Sequence, residues 1–245
     1  METSRLQLPV NRLAVLIDAD NARSKIIEPL LKEISKYGTA HVKRIYGDWT
    51  QETLKPWKGI LNEFAIQPIQ QFSYTRGKNA TDSALIIDAM DLLYTGNFDG
   101  FCIVSSDSDF TRLATRLRES GLVVYGFGEQ KTPQPFVNAC DKFIFTEILE
   151  GNPIDQGDSS PRSEQNKTLN PWLLVLFREV YDSGTEEESE WMNLGFFGSQ
   201  LTKISPSFDP RNYGYSKLSS LVKATQIFEV KPENGSIYIR LKLKL

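Results

Sequence analysis

The sequence predicts an α/β domain with a parallel sheet and helices on both of its faces, followed by a smaller domain of helices and a β-hairpin. Three observations support this prediction. Short apolar runs alternate with segments of helical spacing over most of residues 12–149. Acidic residues directly follow two of those runs. A segment with few apolar residues then divides the chain.

The elements of the first part follow from apolar periodicity and from the residues that end each segment. Gly38 and Gly121 are placed to end two of the helices. The predicted strands are 12–19, 40–48, 66–74, 100–107, 122–128 and 142–149, and the predicted helices are 25–38, about 52–64, 81–94, 108–121 and about 135–140. This regular alternation favours a doubly wound sheet, for which 3-2-1-4-5 is the common strand order. Strands one and four are then neighbours.

The second part is separated from the first by a polar stretch rich in Gly, Pro and Ser, which cannot bury enough surface to order itself. We therefore predict a domain at 1–150, a flexible linker at 151–167 and a second domain at 168–245. Helices are predicted at 169–184, 191–204 and 215–225, and "PENG" at 232–235 joins two short strands. Three helices and a hairpin are typical of a winged-helix module.

Composition limits the chemistry that this chain can perform. The 245 residues are 40% hydrophobic and 24% charged, with a net charge of −3. No apolar run is long enough to span a bilayer, and the N-terminal residues lack a signal-peptide core, so we expect a cytoplasmic protein with no membrane partner. Cys102 and Cys140 form neither a metal-ligand pair nor a disulfide framework, and His41 is the single histidine. Carboxylates are therefore the expected catalytic groups.

The first acidic stretch is "LIDADN", at the end of strand one. Capping of the next helix accounts for either Asp20 or Asn21. It does not account for Asp18, which directly follows a buried apolar run and is expected to be poorly hydrated.

The second acidic stretch is "SSDSDF", at the end of strand four. One of Ser106, Asp107 and Ser108 is expected to cap the following helix. Capping explains only one of the two acids, Asp107 and Asp109. Asp82, in the first turn of helix 81–94, lies near the same strand ends, although placement in a helical first turn is itself common for an acid.

Together these acids predict a metal site. Two carboxylates 4 Å apart repel by roughly 4 kcal/mol at an effective dielectric constant of 20, so a cluster of them needs a cation. Oxygen ligands alone suit Mg²⁺ or Mn²⁺, which can activate water and hold a phosphate oxygen. Arg76 and Lys78 in "SYTRGKNATD" are either substrate contacts at the rim of this site or ordinary exposed loop charges.

The segments "VLIDADN", "GKNATDSALIIDAM" and "FCIVSSDSDFTRLATRLRESGLVVYGFG" resemble, in order and spacing, the motifs of NYN-domain proteins, a branch of the PIN-like nucleases. The resemblance covers about residues 11–149 and implies a PIN-like parallel sheet and cleavage of RNA with Mg²⁺ or Mn²⁺. By position it implies that the catalytic and metal-binding acids are Asp18, Asp82, Asp107 and Asp109, and we predict substrate contacts from Asn21, Arg76, Lys78 and Ser106. The spacing between Lys78 and Asp82 is longer than the family pattern, which leaves the role of Lys78 open.

The second part resembles a LOTUS (OST-HTH) domain over most of residues 169–241, through "WMNLGFFGSQLTKISPSFDPRNYGYSKLSSLVKATQIFEV". The resemblance implies binding of RNA or of a protein partner. Candidate contacts are Arg211, Tyr213, Tyr215 and Lys217, although Tyr213 is equally typical of a turn or core residue. Basic and acidic residues balance in this part, so strong nonspecific nucleic-acid affinity is not expected.

The sequence leaves three hypotheses for function. The favoured one is a Mg²⁺- or Mn²⁺-dependent ribonuclease whose LOTUS domain delivers RNA. The second is an RNA-binding adaptor without catalysis, whose acids hold a structural metal. The third is a phosphatase of the haloacid-dehalogenase type, because "LIDADN" resembles its Asp-x-Asp signature, although Asn21-Ala22 depart from that signature. A homodimer stays open as a further partner state.

Overall fold

The computed structural model describes residues 11–72, 80–150, 171–184 and 190–242. The chain divides into two compact units, Met1–Glu150 and Gly151–Leu245. The linker predicted at 151–167 lies outside the described residues. None of the described helices has both the length and the apolar character required to cross a membrane.

The first unit alternates strands and helices along the chain, as its apolar pattern predicts. Its strands are β1 (Arg12–Asp18), β2 (Thr39–Gly47), β3 (Gln67–Gln70), β4 (Gly100–Val104), β5 (Val123–Gly128) and β6 (Lys142–Phe145). Its helices are α1 (Ile27–Ile34), α2 (Trp57–Glu63), α3 (Ala80–Tyr94), α4 (Thr111–Glu119), α5 (Gln134–Ala139) and α6 (Glu147–Glu150). Short 3-10 turns precede α1, α2 and α4.

The six strands form one parallel sheet in the order β3-β2-β1-β4-β5-β6. The first five strands therefore have the common order 3-2-1-4-5, and β1 and β4 are neighbours, with Ile17 beside Val104. The central strands are buried on both faces, because helices cover both. All carboxyl ends of the strands consequently meet at one edge of the sheet, where the site lies.

The strand predicted at 142–149 ends early. Residues 142–145 pair with β5, whereas 147–150 form the short helix α6. Glu147 and Glu150 have polar partners there: Glu147 accepts a hydrogen bond from the backbone N–H of Gln130, and Glu150 pairs with Arg23 and Lys25. Periodicity of apolar residues does not reveal these contacts, which join segments distant in sequence.

The second unit contains α7 (Pro171–Gly184), β7 (Met192–Asn193), α8 (Leu194–Ile204), α9 (Leu218–Thr225), β8 (Phe228–Glu233) and β9 (Ser236–Leu241). The predicted helix 191–204 begins only at Leu194, because the Asn193 side chain caps it by accepting the N–H groups of Gly195 and Phe196. The preceding residues instead pair with β9, which makes an antiparallel sheet of order β7-β9-β8. A separate apolar core around Phe177 and Phe197 holds this unit together.

Candidate metal centre

Asp18 ends β1 and is almost entirely buried, with 1% of its surface exposed. One carboxylate oxygen accepts the backbone N–H of Asp20 at 3.0 Å. The other accepts the Asn21 amide at 2.6 Å and the Ser105 hydroxyl at 2.8 Å. Burial raises the pKa of Asp18, and the hydrogen bonds from Ser105 and Asn21 oppose that rise. Asp18 therefore holds the ends of β1 and β4 together.

The end of β4 is shaped by side chains that bind the backbone. Ser105, which donates to Asp18, accepts the N–H of Asp107 at 3.1 Å. The Ser106 hydroxyl accepts the N–H of Glu129 at 2.8 Å, and Ser106 is buried. The carboxylate of Asp107 accepts the N–H of Asp109 at 2.9 Å, so Asp107 is the predicted cap of the following helical turn. These contacts fix the loop and direct both acids to the carboxyl edge of the sheet.

Three carboxylates converge at this edge. Asp82 from the first turn of α3, Asp107 and Asp109 each offer an oxygen atom, and the three oxygen atoms lie within 4.8 Å of one another. Asp82 and Asp107 are half-buried, and Asp109 is exposed. The pKa of Asp82 is raised to about 6, first by burial and then by the negative charges of neighbouring aspartates: Asp18, Asp107, Asp109 and Asp20. The ionised carboxylates of the cluster thus repel one another, and a bound cation would reduce this repulsion.

This donor set fits Mg²⁺ or Mn²⁺. Oxygen atoms bound at roughly 2.1 Å to one octahedral ion lie roughly 3–4 Å from each other. Oxygen atoms already within 4.8 Å of one another need only a small side-chain movement to reach that spacing. The set contains neither nitrogen nor sulfur, the ligands that zinc prefers. Asp18 is not part of this group of three, and both of its oxygen atoms accept hydrogen bonds.

Two further acids, which the sequence did not assign to the metal site, lie at the same edge. Asp20 interacts with the Thr81 hydroxyl, and its pKa is raised by partial burial and by Asp18 and Asp48. Asp48 directly follows β2, is buried, and accepts the Thr50 hydroxyl at 2.7 Å. The rule that selects Asp18, an acid directly after an apolar strand, selects Asp48 as well, because "IYGD" repeats that pattern.

The predicted substrate contacts have mixed outcomes. Asn21 donates a hydrogen bond to Asp18, and the Ser106 hydroxyl accepts one from the backbone N–H of Glu129, directly after β5. Both side chains therefore stabilise the loops of the site. Arg76 and Lys78 lie outside the described residues. The structure therefore gives Asn21 and Ser106 a supporting position next to the cluster.

The predicted contacts of the second unit also differ among themselves. The Arg211 guanidinium pairs with Asp209, with nitrogen–oxygen distances of 2.9 and 2.7 Å. Tyr213 packs near Phe208 with ring centroids 6.0 Å apart, and Tyr215 is partly buried against the core. Lys217, directly before α9, is exposed. Of these four candidates, Lys217 has the side chain most accessible to a partner.

Comparison with known proteins agrees with this architecture. Residues 12–150 match the family model described as NYN domain, and residues 164–239 match the OST-HTH/LOTUS domain. No curated protein matches this chain.

Two solved structures are similar to parts of the chain. A protein of unknown function from Vibrio parahaemolyticus is 17% identical and covers 56% of this chain and 94% of its own, with a TM-score of 0.47. An uncharacterized protein from Nitrosomonas europaea is 34% identical and covers 38% of this chain and 95% of its own, with a TM-score of 0.28. Both scores are too low for either structure to support a conclusion about the site.

Proposed function

This chain belongs to the NYN domain family, and on that premise we propose that it is a ribonuclease that hydrolyses RNA phosphodiester bonds with Mg²⁺ or Mn²⁺. NYN domains are part of the PIN-like nuclease superfamily, and LOTUS domains suggest RNA binding. The observation that carries the proposal is the convergence of Asp82, Asp107 and Asp109 at the carboxyl edge of the sheet. In a doubly wound fold, that edge is where ligands bind.

Each acid has its own part in the proposal. Asp82, Asp107 and Asp109 hold the divalent cation, which when bound supplies a Lewis acid for water activation and charge neutralisation at phosphate. Asp18 orients Asn21 and Ser105, and through Ser105 it fixes the backbone at Asp107. Asp18 also places negative charge beside Asp82. This charge makes the ionised cluster less favourable without a metal, and it therefore favours binding of a cation.

The phosphatase hypothesis receives no support from the site. An aspartate that forms a covalent phosphate intermediate needs an oxygen atom that can reach the substrate. Asp18 is 1% exposed, and both of its oxygen atoms accept hydrogen bonds. Action in the cytoplasm and formation of a homodimer stay predictions of the sequence.

A cleavage assay with a matched pair of variants tests the proposal. With Mn²⁺ or Mg²⁺, the protein should cut labelled single-stranded or structured RNA, and EDTA should stop the reaction. Asp107→Asn should reduce the rate at least 100-fold, because the cluster loses a charged ligand. Asp91→Asn, on the exposed side of α3, should cut at the normal rate.

The outcomes separate the hypotheses. Full activity of Asp107→Asn would contradict the assigned metal site. RNA retained without product under either metal would instead favour the RNA-binding adaptor. An enzyme that cuts equally well in EDTA would remove the metal from the mechanism.

A further inference from the structure

Helix α3, which carries Asp82, is apolar on nearly every side. Three consecutive residues illustrate this: Leu85 is fully buried, Ile86 is half-buried, and Ile87 is 63% exposed. A surface helix is usually oriented by a single apolar stripe facing the core. Here, apolar residues lie on the exposed side as well, so burial alone only weakly determines which side of α3 faces the sheet.

A polar contact supplies the missing orientation. The Asp88 carboxylate, in the middle of α3, accepts a hydrogen bond from the Tyr46 hydroxyl through one oxygen and pairs with the Arg44 guanidinium through the other. Tyr46 and Arg44 are both on β2, and the Tyr46 side chain is fully buried. Burial and the hydrogen bond to Asp88 raise the pKa of Tyr46, so both favour the protonated hydroxyl that donates this bond. We name Arg44, Tyr46 and Asp88 the α3 clamp.

The α3 clamp lies on the same strand and helix that border the candidate metal centre. Tyr46 lies beside Asp18 in the β1–β2 pairing. Asp88 follows Asp82 by six residues, which is roughly 9 Å along the helix axis. At the other side of Asp82, the buried Thr81 hydroxyl interacts with Asp20. Helix α3 is thus held at two points, by Thr81 to the loop after β1 and by Asp88 to β2.

Small rotations of α3 matter for a metal ligand. A side chain extends roughly 5–6 Å from the helix axis, so a rotation of roughly 20° moves its end by about 2 Å. Metal–ligand distances tolerate only about 0.2 Å. A contact that fixes the rotation of α3 therefore controls whether Asp82 can share a cation with Asp107 and Asp109.

We propose that Arg44, Tyr46 and Asp88 are positioning residues that set the rotation of α3 and thereby hold Asp82 next to Asp107 and Asp109. The clamp touches none of the three acids, and it acts on Asp82 through the helix backbone. The inference depends on the proposed function only for its consequence in metal binding. The placement of Asp82 can be examined without any metal.

Two variants remove parts of the clamp, and each has a matched control. Asp88→Ala deletes the shared carboxylate, and Asp91→Ala makes the same change on the exposed side of α3. Tyr46→Phe deletes one hydroxyl, and Tyr37→Phe deletes a hydroxyl that donates at 2.9 Å to the buried Glu33 on α1, away from the cluster. Tyr46→Phe keeps the test valid if Asp88→Ala fails to fold.

The measurements are the Mn²⁺ dissociation constant by calorimetry, the unfolding temperature, and metal-free crystal structures of the full chain. We expect Tyr46→Phe and Asp88→Ala to weaken Mn²⁺ binding about tenfold or more, as removal of groups that orient metal ligands does. We also expect an Asp82 oxygen atom in these variants to lie more than 4.8 Å from those of Asp107 and Asp109, which it approaches within that distance in the unchanged protein. The controls should bind Mn²⁺ normally, even at an equal loss in unfolding temperature.

The proposal is overturned if Tyr46→Phe binds Mn²⁺ like the unchanged protein and its Asp82 stays in place, or if Tyr37→Phe weakens binding equally. Failure of the proposed function gives a different result: the unchanged protein binds no Mn²⁺, yet Asp82 still moves in the Tyr46→Phe crystal.

Discussion

At the scale of single residues, Asp82 connects charge, stability and metal binding. Its pKa is raised to about 6 from an ordinary 3.8, because burial and four nearby aspartates disfavour its ionised form. A raised pKa in a folded carboxylic acid means that ionisation costs stability. The metal-free protein therefore gains stability from this residue as the pH falls from about 6 toward 3.8. A bound cation has the opposite preference, since it requires the ionised form.

We predict that Mn²⁺ binding weakens about tenfold between pH 7 and pH 5, because protons then compete with the cation for Asp82. Calorimetry across this range measures the effect. Asp82→Asn should bind Mn²⁺ weakly at both pH values and should unfold about 2–4 °C higher without metal, since each kcal/mol of relieved repulsion gives about that shift. If the unchanged protein bound Mn²⁺ equally well at pH 5 and pH 7, Asp82 could not be a metal ligand with a pKa of about 6.

At the scale of elements, the ends of β4 and β5 approach too closely for any side chain at Gly128. A Cβ atom there would lie 2.5 Å from the Ser105 carbonyl oxygen and 2.7 Å from the Thr132 hydroxyl. Ser105 in turn binds Asp18 and the backbone at Asp107. The close packing of these two neighbouring strand ends is thus connected through Ser105 to the candidate metal centre.

We predict that Gly128→Ala destabilises the protein by about 1–3 kcal/mol, because the backbone at Ser105 has to move. The same displacement should weaken Mn²⁺ binding. Gly59→Ala is the matched control: its Cβ would meet no atom within 4 Å on the exposed side of α2, so it should stabilise by about 0.5–1 kcal/mol. Thermal unfolding of both variants measures these changes in stability. If Gly128→Ala left the stability unchanged, the ends of β4 and β5 would be free to move apart.

At the scale of the whole molecule, the chain consists of two compact units with separate apolar cores. The first unit presents carboxylates at its site, which repel the phosphates of RNA unless a cation is bound. Affinity for RNA is therefore expected to depend on the second unit. Among its candidate residues, Arg211 already pairs with Asp209, which leaves the exposed Lys217 as the accessible cation of that set.

We predict that Lys217→Glu weakens RNA binding about tenfold and lowers its salt dependence, as loss of a phosphate contact does. Fluorescence anisotropy with labelled RNA measures this in an Asp107→Asn background, which prevents cleavage. Lys203→Glu, an exposed lysine near the end of α8, makes the same change in net charge. If both variants lose the same RNA affinity, the effect comes from net charge, and Lys217 makes no specific contact with the RNA. Unchanged Mn²⁺ binding of both lysine variants in the protein that retains Asp107 would show that the first unit is intact.

Much of the architecture could be predicted from local patterns alone. Apolar runs and their spacing predict the six strands, because the period of apolar residues is a local property, whereas the order of the strands depends on pairing between distant segments. Boundaries were less predictable where polar contacts intervene: Asn193 moves the start of α8, and Glu147 takes part in the helix that replaces the end of strand six. Those contacts join residues whose proximity exists only in the folded chain.

By itself, the sequence determined which acids stand at strand ends, since a charged residue after a buried run is visible in one dimension. Only the tertiary structure shows how they are arranged relative to one another. It placed Asp18 among hydrogen-bond donors in the interior, and it brought Asp82 within reach of Asp107 and Asp109. The physical reason is that burial and distance to other charges depend on how helices dock, and the docking of α3 depends on polar contacts with β2 that its own apolar sequence does not specify.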